Sequence, residues 1–346
     1  MSAGAYLGWD IGGAHLKAAL VRQSCVMAAA QVPCELWRGL ESLDQSYAAL
    51  PDWTHGRACH AITMTGELCD FFPDRSTGVT MLANWAFDKL SSNALVYGGR
   101  AGFLGASEIS THVIDVASAN WHATARLVGL SLREAIVCDI GSTTTDLIPI
   151  SGGAPIAEGY TDAERLACGE LVYTGVVRTP VMALARSVPF AGRVTGVVAE
   201  HFATIADVYR LLGCLPADVD QQGTADARGK SLAETCGRLA RMIGRDAAEA
   251  SAAEWKQLAR HFAELQLGHI ESAVLQVLSR RNLPREAPMV GCGVGRFVAR
   301  KLAKRLGRPY RDFSSLLATG PCAEPLVSSY ATAAAVALLA EQSIAN

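Results

Sequence analysis

Tyr6-Leu-Gly-Trp-Asp10-Ile-Gly-Gly-Ala-His-Leu-Lys17-Ala-Ala-Leu20 and Ile136-Val-Cys-Asp139-Ile-Gly-Ser-Thr-Thr-Thr-Asp146-Leu-Ile-Pro-Ile150 read as one device used twice. Each is an apolar strand ending in Asp-Ile-Gly, a tight turn of small residues, and a second strand that returns alternately apolar and polar. Glycine lets such a turn bring backbone N–H groups close to an anion, which makes Gly12 and Gly13 candidate phosphate donors. In the second copy the hydroxyls of Ser142, Thr143 and Thr144 add further donors. A carboxylate at each strand end, Asp10 and Asp139, can hold Mg²⁺ on the bound anion. The two stretches together predict a phosphate clamp in duplicate.

Around these stretches the chain reads as a two-lobed α/β globule. Its 346 residues exceed what one core usually holds. Half of them are apolar and 18% are charged, a balance that excludes a disordered or coiled-coil chain. A formal charge of −2 offers no basic field for nucleic acid or an anionic membrane, so neither is expected as a partner. The ten cysteines form no Cys-x-x-Cys pair and suit a reducing cytoplasm. Gly8, Asp10 and Gly12 interrupt the first apolar run too early for a secretion signal. The apolar stretch 331–340 is too short to span a bilayer and reads as a core helix.

Periodicity predicts helices over 40–50, 118–127, 200–212, 231–243 and 252–278, and a buried strand over 58–64. The strand runs into Thr65-Gly-Glu67-Leu-Cys-Asp70, where Glu67 and Asp70 would share one face if a helix starts at Thr65; a solvated helix start reads equally well. From 159 to 178, Arg165, Glu170, Tyr173 and Arg178 are mixed with apolar residues, a pattern that suits the wall of a site. Pro288-Met-Val-Gly-Cys-Gly-Val-Gly295 is a strand entering a glycine turn before an amphipathic helix, read as a third anion-facing or nucleotide-facing element. It does not match a dinucleotide fingerprint, and no Walker loop is present.

Two Asp-Ile-Gly hairpins followed by a late Gly-x-Gly-x-Gly turn resemble the actin/Hsp70/sugar-kinase superfamily. Within it, Leu7–Lys17, Thr63-Met-Thr-Gly-Glu-Leu-Cys-Asp70, Ala119-Asn-Trp121, Asp139–Asp146, Gly169-Glu-Leu-Val-Tyr-Thr-Gly-Val-Val-Arg-Thr-Pro180 and Phe202–Tyr209 resemble the hydantoinase-A/oxoprolinase branch, in particular its members linked to tetrahydromethanopterin-dependent one-carbon transfer. The resemblance implies two ribonuclease-H-like lobes facing a cleft. The first would span 1–130, with the C-terminal helix 327–346 packing back on it, and the second 131–326, with a helical insertion at about 200–285.

The same resemblance implies a Mg²⁺-dependent transferase of methanofuran biosynthesis, acting on small molecules in the cytoplasm. It would join a furanmethyl diphosphate to the phenol of a γ-glutamyltyramine and release diphosphate. Asp10 and Asp139 would hold the metal, and Lys17 would cancel further charge. Glu67, Asp70, His15 and Glu170 are the candidate bases for the phenol, with Glu67 favoured. Arg165 and Arg178 would receive the γ-glutamyl carboxylates or form structural salt bridges, and Tyr173 would stack on a ring or pack in the core. The rival readings are an ATP-dependent kinase or amidohydrolase on the same fold, and a nucleotide-sensing scaffold without catalysis.

Overall fold

The computed structural model describes residues 4–217, 219–280 and 283–345. The chain opens with β1 (Ala5–Ile11), β2 (His15–Arg22) and β3 (Cys25–Pro33), followed by β4 (Cys59–Met64), β5 (Leu95–Tyr97) and β6 (Phe103–Leu104). Its second half starts at β7 (Ala135–Ile140), β8 (Thr145–Ser151), β9 (Ala154–Pro155) and β10 (Leu171–Val172). A small ribbon of β11 (Ser187–Phe190) and β12 (Arg193–Gly196) comes next, then β13 (Met289–Cys292), β14 (Tyr310–Asp312) and β15 (Ala318–Thr319).

Two sheets of related topology result. The first runs β15-β3-β2-β1-β4-β5-β6 and the second β10-β8-β7-β13-β14, with β9 paired to β8. In each, the opening strand lies between its own antiparallel return strand and a parallel neighbour, β4 beside β1 and β13 beside β7. The central strands are covered on both faces and are therefore nearly continuously apolar. Register makes the duplication literal: Asp10 lies opposite Lys17 across the first hairpin, and Asp139 opposite Asp146 across the second.

Two helices fill the space between the sheets. The C-terminal helix, Ala331–Ala345, packs on β1, β2 and β4, and the helix Asn120–Ser131 packs on β7, β8, β9 and the C-terminal helix. Alanine dominates the buried face of the former, and Gly8 of β1 permits the approach: a Cβ there would stand 2.0 Å from the Ala333 carbonyl oxygen. One apolar cluster consequently runs from Ala19 and Val21 through the helix to Val137 and Ile148. Among the described residues no helix is long and apolar enough to cross a membrane.

Several predicted elements have different limits. The helix expected at 200–212 begins at Ile205, because Thr204 donates its N–H to the Asp207 carboxylate in a capping box; exposed His201 precedes it. Ser251 and Glu254 cap the long helix Ala252–Arg280 as their spacing predicts. Residues 281 and 282, inside the span read as a helical insertion, lie outside the described residues. No helix starts at Thr65. A three-residue 3-10 turn, Gly66–Leu68, gives way to extended backbone at Cys69, and the helix begins only at Arg75, where Asp74 accepts from the Thr77 N–H. Glu67 and Asp70 therefore share no face: Glu67 is buried and Asp70 exposed.

Candidate active site

Both hairpin turns open onto one cleft of about 380 Å³, lined by Gly12, Gly13, Lys17, Asp139, Ser142, Thr143 and Thr144, together with Asp70, Arg165, Tyr173 and Arg178. Each turn is closed by one backbone bond, Gly12 N–H to the His15 carbonyl at 3.0 Å and Gly141 N–H to the Thr144 carbonyl at 2.9 Å. The Gly12 amide is thus already donated, which corrects the expectation that it meets a phosphate. Gly13, Ala14, Ser142, Thr143 and Thr144 have N–H groups with no protein acceptor among the described residues. The second turn is braced from behind: Val176 donates to the Gly141 carbonyl, and Val177 and Arg178 both donate to that of Ser142. Only glycine fits at 175 beneath it, since a Cβ would stand 2.5 Å from Gly141 O and Thr143 N. Amides held this way need no reorganisation to meet an anion.

The glycine turn after β13 meets the cleft with part of its backbone committed elsewhere. Gly293 and Val294 reach the cleft, but Gly293 N–H bonds the Ser328 carbonyl and Gly295 N–H the Ile140 carbonyl. Those amides lock β13 to its neighbours and are not available to an anion.

Opposed charges form the floor. Lys17 Nζ sits 2.8 Å from Asp10 Oδ2, which also accepts from Thr332 Oγ1 at 2.6 Å; Asp10 Oδ1 is buried with no partner. Burial alone would lower the Lys17 ammonium, but Asp10 and Asp139 outweigh it and raise it, so the charge persists. On the other side Arg165 Nη2 meets Asp146 Oδ1 at 2.7 Å and the Glu170 carbonyl at 3.0 Å, with its guanidinium 4.3 Å from the Trp121 ring centre. Burial, then Asp146, push the Asp139 carboxyl up to about 7, against the pull of Lys17. Three carboxylates crowded at the floor, one with an orphaned oxygen, make a donor set that a divalent cation would relieve. Among the described residues no three His, Cys, Asp or Glu side chains form a cage of their own. A metal here would take the rest of its shell from phosphate oxygens and water, as Mg²⁺ usually does.

The remaining candidates separate by position. Tyr173 and Arg178 stand exposed at the mouth, Arg178 with its guanidinium 5.4 Å from the Trp37 ring centre across the opening. The Glu170 carboxylate accepts the N–H groups of Glu158 and Gly159 and meets Arg280 at 3.1 Å; it does not line the cleft. Glu67 lies behind the wall, 1% exposed, accepting from Ser118 Oγ at 2.7 Å. Asp162 reaches the cleft as part of the polar wall read over 159–178, whereas Thr332, Ser118 and Trp37 reach it with no signal in the sequence. The repeated spacing offered a signal for only one further group: Asp146 stands where Lys17 does in the first hairpin.

His15 is buried at the first turn, and burial, Lys17 and Arg178 push its imidazole down to about 3 although Asp10 opposes them. Its ring accepts from Gln222 Nε2 at 3.4 Å. The unfolded chain therefore binds a proton at His15 below pH 6.5 that the folded one refuses, and stability falls as pH drops through that range. At pH 5 the cost is about 2 kcal/mol. Urea titrations at pH 7.5 and 5 should show wild type losing stability relative to His15→Gln by that amount; equal losses would mean the ring takes up its proton in the folded state.

Two sheets of ribonuclease-H-like order, joined by packed helices and sharing one cleft, define the actin-like ATPase fold. A nucleotide-free acetone carboxylase structure superposes on this chain with a TM-score of 0.56, covering 88% of it and 68% of that chain at 11% identity, a likeness of fold alone. The hydantoinase/oxoprolinase family model matches residues 59–319, and the chain belongs to that family. It is 32% identical over 244 residues to the (4-{4-[2-(gamma-L-glutamylamino)ethyl]phenoxymethyl}furan-2-yl)methanamine synthase of Methanocaldococcus jannaschii, covering 69% of this chain and 72% of that one. A Methanococcus vannielii protein of the same name is 30% identical over 151 residues, covering 44% and 68%.

Proposed function

We propose that this chain is an alkyl transferase that joins a furanmethyl diphosphate to the phenol of a γ-glutamyltyramine, forming an aryl ether and releasing diphosphate. The ether, the furan and the γ-glutamyl group are those in the names of its relatives. The observation that carries the reading is the pair of hairpin turns, the second braced from behind, whose residues line one cleft beside Lys17 and Asp139 and whose amides include several without a protein acceptor among the described residues.

In this mechanism the amides of Gly13, Ser142, Thr143 and Thr144 and the Lys17 ammonium hold the diphosphate where its charge grows as the C–O bond breaks. The furan ring shares the positive charge on its CH₂ group, so the protein's work is to hold the leaving group, exclude water and place the phenol. Asp139, with Asp10 through water, would hold Mg²⁺, which supplies charge neutralisation of the diphosphate. Arg178, which has no ion pair among the described residues, is free to meet a γ-glutamyl carboxylate, while Tyr173 and Trp37 offer ring faces at the mouth. Arg165, engaged with Asp146 and Trp121, holds the floor in place. All ten cysteines are free thiols, which suits the cytoplasm as its compartment.

The test is direct. Purified protein with a furanmethyl diphosphate, γ-glutamyltyramine and Mg²⁺ should release one diphosphate per ether formed and leave added ATP intact. ADP formation without ether would move the assignment to a kinase or amidohydrolase on the same fold.

A further inference from the structure

Ser118 holds a backbone conformation that residues other than glycine and asparagine seldom adopt, with φ of +52° between the helices Val113–Val116 and Asn120–Ser131. That turn sets its side chain on the cleft wall. Its hydroxyl donates to Glu67 Oε1 at 2.7 Å and stands 3.4 Å from Asp162 Oδ2. Glu67 itself is sealed from the cleft, and its second oxygen, Oε2, has no partner. It is pressed in place from behind, since a Cβ on Gly78 of the helix Arg75–Lys89 would stand 2.4 Å from its carbonyl. A strained serine therefore bridges solvent-facing space and a buried carboxylate that no substrate can touch. Strain of this kind persists where the surrounding structure enforces it, and it concentrates at functional positions.

The geometry points to Ser118 as a proton relay: its hydroxyl takes the proton of the acceptor's phenol and passes its own to Glu67. The inference rests on the ether-forming reading above and adds the route by which the nucleophile is made. The phenol O–H bond breaks, its proton moves to Ser118 Oγ, and the Ser118 proton moves to Glu67 Oε1. The phenolate electron pair forms the new C–O bond, and the pair of the breaking C–O bond leaves with diphosphate. Ser118 is the catalytic residue of the pair, and Glu67 acts through it. Burial is the largest influence on the Glu67 carboxyl and raises it, the Ser118 hydrogen bond opposes it, and of the charged neighbours Asp162 raises it while Arg75, itself bound to Asp162 at 2.9 Å, lowers it. A carboxylate in that setting holds a transferred proton well.

Ser118→Gly removes the hydroxyl while accepting the positive φ, and because it also strips Glu67 Oε1 of its hydrogen bond, a melting curve accompanies each assay to show that the variant is folded. With γ-glutamyltyramine it and Glu67→Gln should each lower kcat about 100-fold with little change in KM, the size usual for general-base assistance. The double variant should fall no further than either single one, because the two groups act as a unit. A ring-fluorinated γ-glutamyltyramine, whose phenol ionises unaided near neutral pH, should restore most of the loss in Ser118→Gly. Ser118→Gly working within threefold of wild type, or losing equally with the fluorinated acceptor, overturns the relay and leaves the ether-forming reading standing. Wild type that makes no ether with either acceptor overturns both.

Discussion

Asp139→Asn should become more stable and nearly inactive in the same step. The carboxyl is held near pKa 7, first by burial and then by Asp146 and Asp10, so above neutral pH the native state carries an ionised group that it disfavours. The sign follows from linkage: a carboxyl raised in the folded state weakens stability as pH climbs from the unfolded value near 4 to about 7, and the loss is complete above that. Asparagine keeps the shape and drops the charge. Asp139 borders the cleft and retains some water, so the gain at pH 8 is about 2 kcal/mol, less than full burial would give. Guanidinium unfolding at pH 4.5 and 8 checks it, with the advantage appearing only at the higher pH.

The activity should move the other way, because the carboxylate that costs stability is the one proposed to face the diphosphate and its counter-ion. Removing one electrostatic element of a preorganised site lowers kcat about 100- to 1,000-fold. Melting curves with and without Mg²⁺ and diphosphate give an independent readout: wild type should gain stability from the pair of ligands and Asp139→Asn should not. An Asn variant with full activity would remove Asp139 from the site, and one less stable at pH 8 would mean that Asp146 and Asp10 do not crowd it.

What the sequence discloses and conceals about this molecule follows the range of the forces involved. The hairpins are legible because each is local: alternation, a glycine turn and a carboxylate within fifteen residues specify two strands and their register. Parallel pairing of β1 with β4, or of β7 with β13, leaves no such mark, since its partners lie some fifty and one hundred and fifty residues away. The site divides the same way. Lys17 faces Asp10 because strand period and turn length require it, whereas Thr332 reaches Asp10 from a helix more than three hundred residues on. Thr65 to Asp70 was ambiguous for a physical reason: Thr, Gly, Glu and Leu suit both a helix start and a tight 3-10 turn, and the packing of Glu67 against the helix Arg75–Lys89 selects the latter. Ser118 gives no sign at all, because its strain is imposed by the two helices it joins. Gly12 was correctly placed at a turn, but whether an amide is free depends on how the turn closes.

Gly8→Ala should be among the most damaging single methyl additions in the chain. Gly8 lies mid-strand in β1, paired with Ala19 and Ala61, on the face where the C-terminal helix rests. Its Cβ would stand 2.0 Å from the Ala333 carbonyl oxygen, 2.8 Å from Ala337 Cβ and 2.9 Å from Ala337 N. Two of the three are backbone atoms of a helix, which cannot swing aside as a side-chain tip would; the whole element must lift from the sheet. Overpacking of this kind costs about 3 kcal/mol. The consequence for the site is disproportionate, because the first turn of that helix brings Thr332 to Asp10 and Ala331 to the cleft, and the turn just before it brings Ser329 there. A lifted helix withdraws the Thr332 hydrogen bond and leaves Asp10 dependent on Lys17 alone, so activity should fall even at temperatures where the variant is folded. Gly237→Ala is the matching control: within the helix Leu232–Arg241 a Cβ meets no atom within 4 Å, and alanine's better helix propensity should add up to about 1 kcal/mol. Denaturant midpoints for the two variants should bracket wild type. If Gly8→Ala unfolded with wild type, the helix would not be seated on β1, and the floor of the proposed diphosphate site would have to be built from something else.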